Sequence, residues 1–199
     1  MTDEESLLAA IHEEVRLHPY DPSWPHAFTA ERGRLASLLP GVFRDIAHIG
    51  STAVPGMPAK PVIDLLAGVA SMAVATSIAE QICQSGYTTS AEFNASLQDR
   101  QWFMRWAEGH RTHHLHVVVH ASEVWHAHLA FRDALRSDAA LAARYAALKS
   151  QLAARHTTDR EAYTDAKATF IRSALGDGRG GPWSQRLQRQ KCYVLGSQK

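Results

Sequence analysis

An α+β domain, with a mixed β-sheet followed by a C-terminal helical layer, is the fold class this sequence predicts. Three observations predict it. Short apolar runs bounded by Gly, Pro and polar clusters fill residues 42–119, which reads as strands. Alanine-rich segments with apolar residues at three- and four-residue spacing fill residues 123–175, which reads as helices. The 199 residues leave room for one substantial domain at about 150 residues each. With 45% hydrophobic and 21% charged residues the chain can bury an ordinary core, which excludes disorder throughout.

Ser23 as N-cap and Pro25 in the first turn open a helix carrying Phe28, Leu35, Leu38 and Leu39, and Pro40-Gly41 stops it. Val42 to Ile49 then reads as a strand, Gly50 to Lys60 as a loop, and Pro61 to Val69 as a buried strand. Met72 to Gln84 has helical spacing, with Gly86 just beyond it. Tyr87 to Thr89, Gln101 to Ala107 and His113 to Val119 are the remaining strand candidates. Glu123 to Arg136, Asp138 to Arg155 and Asp159 to Leu175 supply three successive helices. Residues 1–176 thus form one domain. Residues 177–199 lack a periodic pattern and read as a mobile basic tail.

Charge and targeting patterns narrow the function. The net charge of +1 divides into +4 on residues 177–199 and −3 on residues 1–176, and a mildly acidic body disfavours nucleic-acid backbone binding. No apolar run approaches the roughly 20 residues that cross a bilayer, and Met1-Thr2-Asp3-Glu4-Glu5 is acidic where a secretory signal is basic. Cys83 and Cys192 are the only cysteines, too few for a disulfide framework or a thiolate metal site. A cytoplasmic location without membrane contact is the expectation.

Chemistry concentrates at two places. Gly50-Ser51-Thr52 lies between two strands, where glycine admits close backbone approach and the hydroxyls and N–H groups can receive phosphate oxygens. The same tripeptide is also an ordinary turn. Asp64 is the harder residue to dismiss: a carboxylate between Val62-Ile63 and Leu65-Leu66 must be paired, protonated, exposed or bound to metal. Seven of the twelve histidines fall between His110 and His128. Period two puts His114, His116, Val118 and His120 on one strand face, so two imidazoles can reach one ion or hydrogen-bond at a polar sheet face. His48 can act as a ligand, base or packed ring, and His126 and His128 are expected at the surface of their helix. Trp24, Trp102 and Trp106 read as core or pocket-wall residues.

Four segments together resemble the GrpB family: His48-Ile49-Gly50-Ser51-Thr52-Ala53-Val54-Pro55-Gly56, Ala59-Lys60-Pro61-Val62-Ile63-Asp64, Arg111-Thr112-His113-His114-Leu115-His116-Val117, and Arg160-Glu161-Ala162-Tyr163-Thr164-Asp165-Ala166-Lys167. The resemblance spans about residues 15–175. That family is placed in the polymerase-beta-type nucleotidyltransferase superfamily, so the resemblance implies a nucleotidyltransferase-like mixed sheet. It further implies a phosphate cradle at Gly50, Ser51 and Thr52, with Ser51 and Asp64 as the catalytic pair. Asp64, His114 and His116 would hold one divalent ion, manganese, magnesium or zinc, the histidine pair standing where the superfamily has a further carboxylate. Imidazoles move the preference away from magnesium. Lys60, Arg111, Lys149 and Lys167 lie in or near the matching motifs and are the candidate triphosphate cations, with Tyr163 on the helical face of Lys167.

One departure stands out. The superfamily's second carboxylate, two residues on, is here Leu66. The implied activity is metal-dependent transfer of a nucleoside monophosphate from a nucleoside triphosphate to a small acceptor. A nucleotide- or phosphometabolite-binding module without transfer chemistry and a metal-dependent phosphohydrolase are the rivals.

Overall fold

The computed structural model describes residues 15–107, 109–157 and 160–176, and the tail beyond Gly176 lies outside the described residues. Helix α1 (Trp24–Leu38) leads into β1 (Asp45–Ile49), a single 3-10 turn (Ser51–Ala53) and β2 (Ile63–Val69). Helices α2 (Met72–Ser77) and α3 (Ala79–Gln84), strand β3 (Tyr87–Thr88) and helix α4 (Ala91–Ala95) follow. Strands β4 (Arg100–Ala107) and β5 (His110–Val119) form a hairpin, and α5 (Glu123–Ser137), α6 (Ala139–Arg155) and α7 (Arg160–Ala174) close the fold.

The five strands form one mixed sheet in the order β1-β2-β5-β4-β3. Only β2 and β5 run parallel, and that pairing sets Asp64 beside His114 and Leu66 beside His116. Apolar residues alternate between the two sheet faces, as period two requires. Ile63, Leu65, Leu115, Val117 and Phe103 pack with Trp24 and Leu35 of α1 and with Ile78 and Ile82. On the opposite face Ile49, Leu66 and Val118 pack against Val124 and Trp125 of α5. The C-terminal helices add their own apolar seam, where Leu135, Leu141 and Tyr145 meet Val54 and Met57 of the loop after β1.

Local chemistry explains where the elements depart from the sequence pattern. The expected helix over residues 72–84 is interrupted at Ile78, with φ −95° and ψ −3°, just after the Thr76 and Ser77 hydroxyls donate to the Met72 and Val74 carbonyls at 3.1 and 2.9 Å. Ser23 caps nothing with its side chain; the Asp21 carboxylate instead accepts the Ser23 N–H at 2.8 Å. Ser122 and Asp138 do cap α5 and α6, accepting from Trp125 N and Leu141 N. β1 begins only at Asp45, since Val42 N–H is taken by the Leu39 carbonyl in a turn.

A buried carboxylate fastens α1 to the far edge of the sheet. Glu31, 4% exposed, accepts from Arg34 at 2.6 Å, from the Tyr87 hydroxyl at 2.8 Å and from Arg105 at 2.6 Å. Burial opposes the charge, but the Arg34 and Tyr87 hydrogen bonds prevail and hold the carboxyl below its ordinary range. Removing one member of such a network strands its partners, so Glu31→Ala is expected to lose about 3–5 kcal/mol in urea unfolding. A loss under about 1 kcal/mol would show that the three donors find water instead.

Candidate functional site

The sequence from β1 to β2 folds around one glycine. Gly50 holds φ 71° and ψ −171°, a region essentially reserved for glycine, and its α-carbon lies against the Asp64 carboxylate. A β-carbon there would overlap Asp64 Oδ2. The turn therefore delivers Ser51 beside the first residues of β2. Three helices of the C-terminal layer hold it in place. Arg136 of α5 donates twice to the Ala53 carbonyl at 2.9 and 2.7 Å, and Arg132 donates to the His48 carbonyl at 3.1 Å. Lys149 of α6 donates to Ser51 Oγ at 3.0 Å and to the Pro58 carbonyl at 2.5 Å. From α7, Tyr163 and Lys167 complete the wall.

The result is a polar cavity of about 70 Å³, lined by Ser51, Thr52, Lys60, Asp64, His114, Lys149, Tyr163 and Lys167 with Leu17, Ala59 and Val62. Eight residues expected from the sequence thus share one wall. The ammonium groups of Lys60 and Lys167 stand 5.5 and 4.2 Å from the Tyr163 ring centroid, on the ring's electron-rich face. His114 Nδ1 and Asp64 Oδ1 are 2.9 Å apart. Burial raises the Asp64 pKa, but the hydrogen bond from His114 and the neighbouring basic groups His114, His116 and Lys60 outweigh it and bring it to about 2. An ionised carboxylate only accepts, so Nδ1–H is the donor.

Other expected residues fall elsewhere. Thr52 lines the cavity, yet its hydroxyl meets His48 Nε2 at 3.0 Å and the Val62 carbonyl at 3.5 Å. His48 is a packed ring, stacked on Phe28 at 4.7 Å, and burial lowers its pKa to about 4. Its buried neutral form makes the fold more stable above about pH 6.5, and that contribution is lost as pH falls toward 4. Arg111, 3% exposed, lies over the Trp106 ring at 5.9 Å and is not among the cavity-lining residues. His116 shares the His114 face but registers with Leu66, one strand repeat farther along, and among the described residues its Nδ1 has no hydrogen-bond partner. Among the described residues no three histidine, cysteine or acidic side chains gather as a metal site. His126 is exposed as expected, whereas His128 is half-buried with its ring 5.7 Å from His116. The reason is helical spacing: Val124 and Trp125 anchor α5 on the sheet, and positions three and four residues on turn inward with them.

Sequence reasoning did not find Arg132 and Arg136, which clamp the turn. Nothing in their spacing distinguishes them from solvated arginines. A second groove of about 470 Å³ runs between Val54–Pro58 and the helices α5 and α6, lined by Leu135, Ala139, Ala142 and Ala146. It is larger and mainly apolar, with Arg136 the one charged residue in its lining and no acid, histidine or nucleophile there.

A mixed five-stranded sheet with a helical layer defines the fold class, and beside its Gly-Ser turn lies a pocket of three lysines, a carboxylate and an imidazole. The chain belongs to the GrpB family, described as "GrpB protein", which it matches over residues 14–177. It is 30% identical over 175 residues to "Glutamate-rich protein GrpB" of Alkalihalophilus pseudofirmus, covering 86% of this chain and 99% of that one. It is 35% identical over 172 residues to "UPF0157 protein YqkA" of Bacillus subtilis, covering 84% of this chain but spanning only 49% of that relative. The crystal structure of the conserved protein GrpB from Enterococcus faecalis superposes with a TM-score of 0.72 at 32% identity, covering 80% of this chain and 94% of that one. Among the described residues no helix is long and apolar enough to cross a membrane.

Proposed function

We propose that the pocket binds the phosphates of a nucleoside triphosphate and transfers the nucleoside monophosphate to a small acceptor. The carrying observation is the convergence of Lys60, Lys149 and Lys167 with Ser51, Asp64 and His114 on one cavity. The Lys60 and Lys167 ammonium groups, with Lys149 behind Ser51, face one carboxylate, and that carboxylate is already hydrogen-bonded to His114. Such an excess of cations suits a polyanion, whose developing charge Lys60 and Lys167 would neutralise on the leaving pyrophosphate.

The donor set fits a hard divalent ion such as magnesium or manganese, which takes one or two protein ligands and completes its shell with substrate phosphates and water. It does not fit a zinc site needing three or four protein donors. Asp64 is the residue that would hold the ion, its carboxylate oriented by the His114 Nδ1–H, and the ion's chemistry would be to polarise the phosphoryl oxygens. The chain's own part is to orient the phosphates against Ser51 and to exclude water behind Tyr163. Leu66 favours a second reading, a binding module: it is 0% exposed and packed with Ile49, Val118 and Trp125, so the position two residues after Asp64 supplies no second carboxylate.

The test is a thermal-shift panel of the four triphosphates with manganese or magnesium, run beside pyrophosphate release. A ligand at about 100 times its Kd adds about 2.7 kcal/mol, a rise of roughly 5–10 °C for a domain of this size. Binding with pyrophosphate release supports transfer. Binding without release with any acceptor supports the module, and no shift with any triphosphate overturns both.

A further inference from the structure

Lys149 is the anomaly of the pocket. It is 1% exposed, yet among the described residues no carboxylate pairs with it. It projects from the apolar stripe of α6 between Tyr145 and Leu152, where an aliphatic residue is the expectation. Its nitrogen has two oxygen partners, both neutral: the Ser51 hydroxyl at 3.0 Å and the Pro58 carbonyl. The Tyr145 ring lies beneath it at 5.1 Å. A carbonyl can only accept, so one N–H is fixed on Pro58 and another nitrogen position is directed at Ser51 Oγ. A nucleophile within hydrogen-bond reach of a base, and a third group orienting that base, is the geometry of an activated serine.

We propose that Ser51 is a nucleophile and Lys149 its general base, forming a Ser–Lys dyad that takes the nucleoside monophosphate group, through its phosphorus, onto Ser51 Oγ before the acceptor receives it. This rests on the phosphate-ester reading above and deepens it from direct to two-step transfer. In the first step Ser51 Oγ bonds to the phosphorus, the bond from phosphorus to the pyrophosphate oxygen breaks, and the hydroxyl proton moves to Lys149 Nζ. In the second, the acceptor hydroxyl attacks that phosphorus and releases its own proton to solvent. Ser51 Oγ departs and recovers its proton from Lys149. Nothing is oxidised or reduced.

Two further features fit. Burial, with Lys167 nearby, lowers the Lys149 pKa to about 7, which supplies the unprotonated base at neutral pH. The titratable groups around the dyad are Lys60, Asp64 and His114 across the cavity, Lys167 and Tyr163 from α7, and Tyr145, whose hydroxyl hydrogen-bonds with Ser51 and which stays a neutral phenol because burial pushes its pKa up.

The probe is methanesulfonyl fluoride, small enough for the cavity, applied to the full chain and read by peptide mapping. The expected adduct is on Ser51, forming faster as pH rises through about 7 and levelling above it. Lys149→Met replaces the ammonium by an apolar chain of similar length and should keep the fold by circular dichroism while slowing modification about 10²–10⁴-fold. No adduct on Ser51, or an equal rate in folded Lys149→Met, overturns the dyad. If Lys149→Met does not fold, the wild-type profile decides: a rate flat between pH 6 and 9 overturns it. A triphosphate thermal shift without an adduct leaves the phosphate reading standing and removes the dyad. An adduct with no shift by any triphosphate does the reverse.

Discussion

Gly50→Ala is expected to lower the melting temperature by roughly 10 °C and to abolish phosphate binding in whatever fraction remains folded. Two separate penalties meet at this residue. Its backbone conformation, φ 71° and ψ −171°, costs about 1–3 kcal/mol for any residue with a side chain. The new methyl group would also overlap Asp64 Oδ2, which has strand β2 behind it and cannot retreat without parting from His114. At about 2–4 °C per kcal/mol the sum is a large shift, and the displaced carboxylate carries the pocket geometry with it. A melting temperature within about 2 °C of wild type, with unchanged triphosphate response, would show that the turn can relax to another conformation and that Asp64 does not depend on it. Gly33, by contrast, has open space and ordinary backbone angles, so Gly33→Ala is the matched control and should be neutral or slightly stabilising.

How much of this was legible in the sequence depends on whether the relevant contact is local. Period two correctly assigns His114 and His116 to one face of β5, because alternation is a property of a single strand. Which imidazole meets Asp64 is a matter of register between β2 and β5, a pairing of residues 50 apart, and no local pattern carries it. The same limit hid His128, whose inward turn follows from the docking of α5 on the sheet, and Arg132 and Arg136, whose carbonyl partners lie 84 and 83 residues away. Asp64 was conspicuous because a carboxylate in an apolar strand violates its surroundings. Lys149 carries the same kind of signal: Leu141, Tyr145 and Leu152 mark a buried stripe, and a lysine within it breaks the pattern. Arg111 gave no such warning, since its place over Trp106 depends on the irregularity of the hairpin at Arg105 and Trp106.

Asp64→Asn should separate the two roles that this carboxylate combines. The substituted amide keeps the size and an oxygen that can accept from His114 Nδ1, so the fold should survive and the ring should stay oriented. What disappears is the negative charge. Transfer, measured as pyrophosphate release with manganese or magnesium, is expected to fall about 10²- to 10³-fold. Affinity for inorganic triphosphate without metal should hold or rise, because the one anionic group facing Lys60, Lys149 and Lys167 has been neutralised. The opposed signs identify the charge as a metal ligand rather than a structural acceptor, since a merely structural loss would weaken both. Stability against acid gives an independent reading. The folded pKa of about 2 lies below the unfolded value near 3.9, so the Asp64 contribution is fully present above about pH 4 and is lost as pH falls through 2. The stability gap between wild type and the Asp64→Asn variant should therefore narrow only below about pH 4. A gap that closes between about pH 7 and 5 would assign the acid sensitivity to an imidazole, and full transfer activity in Asp64→Asn would end the metal-assisted reading of this pocket.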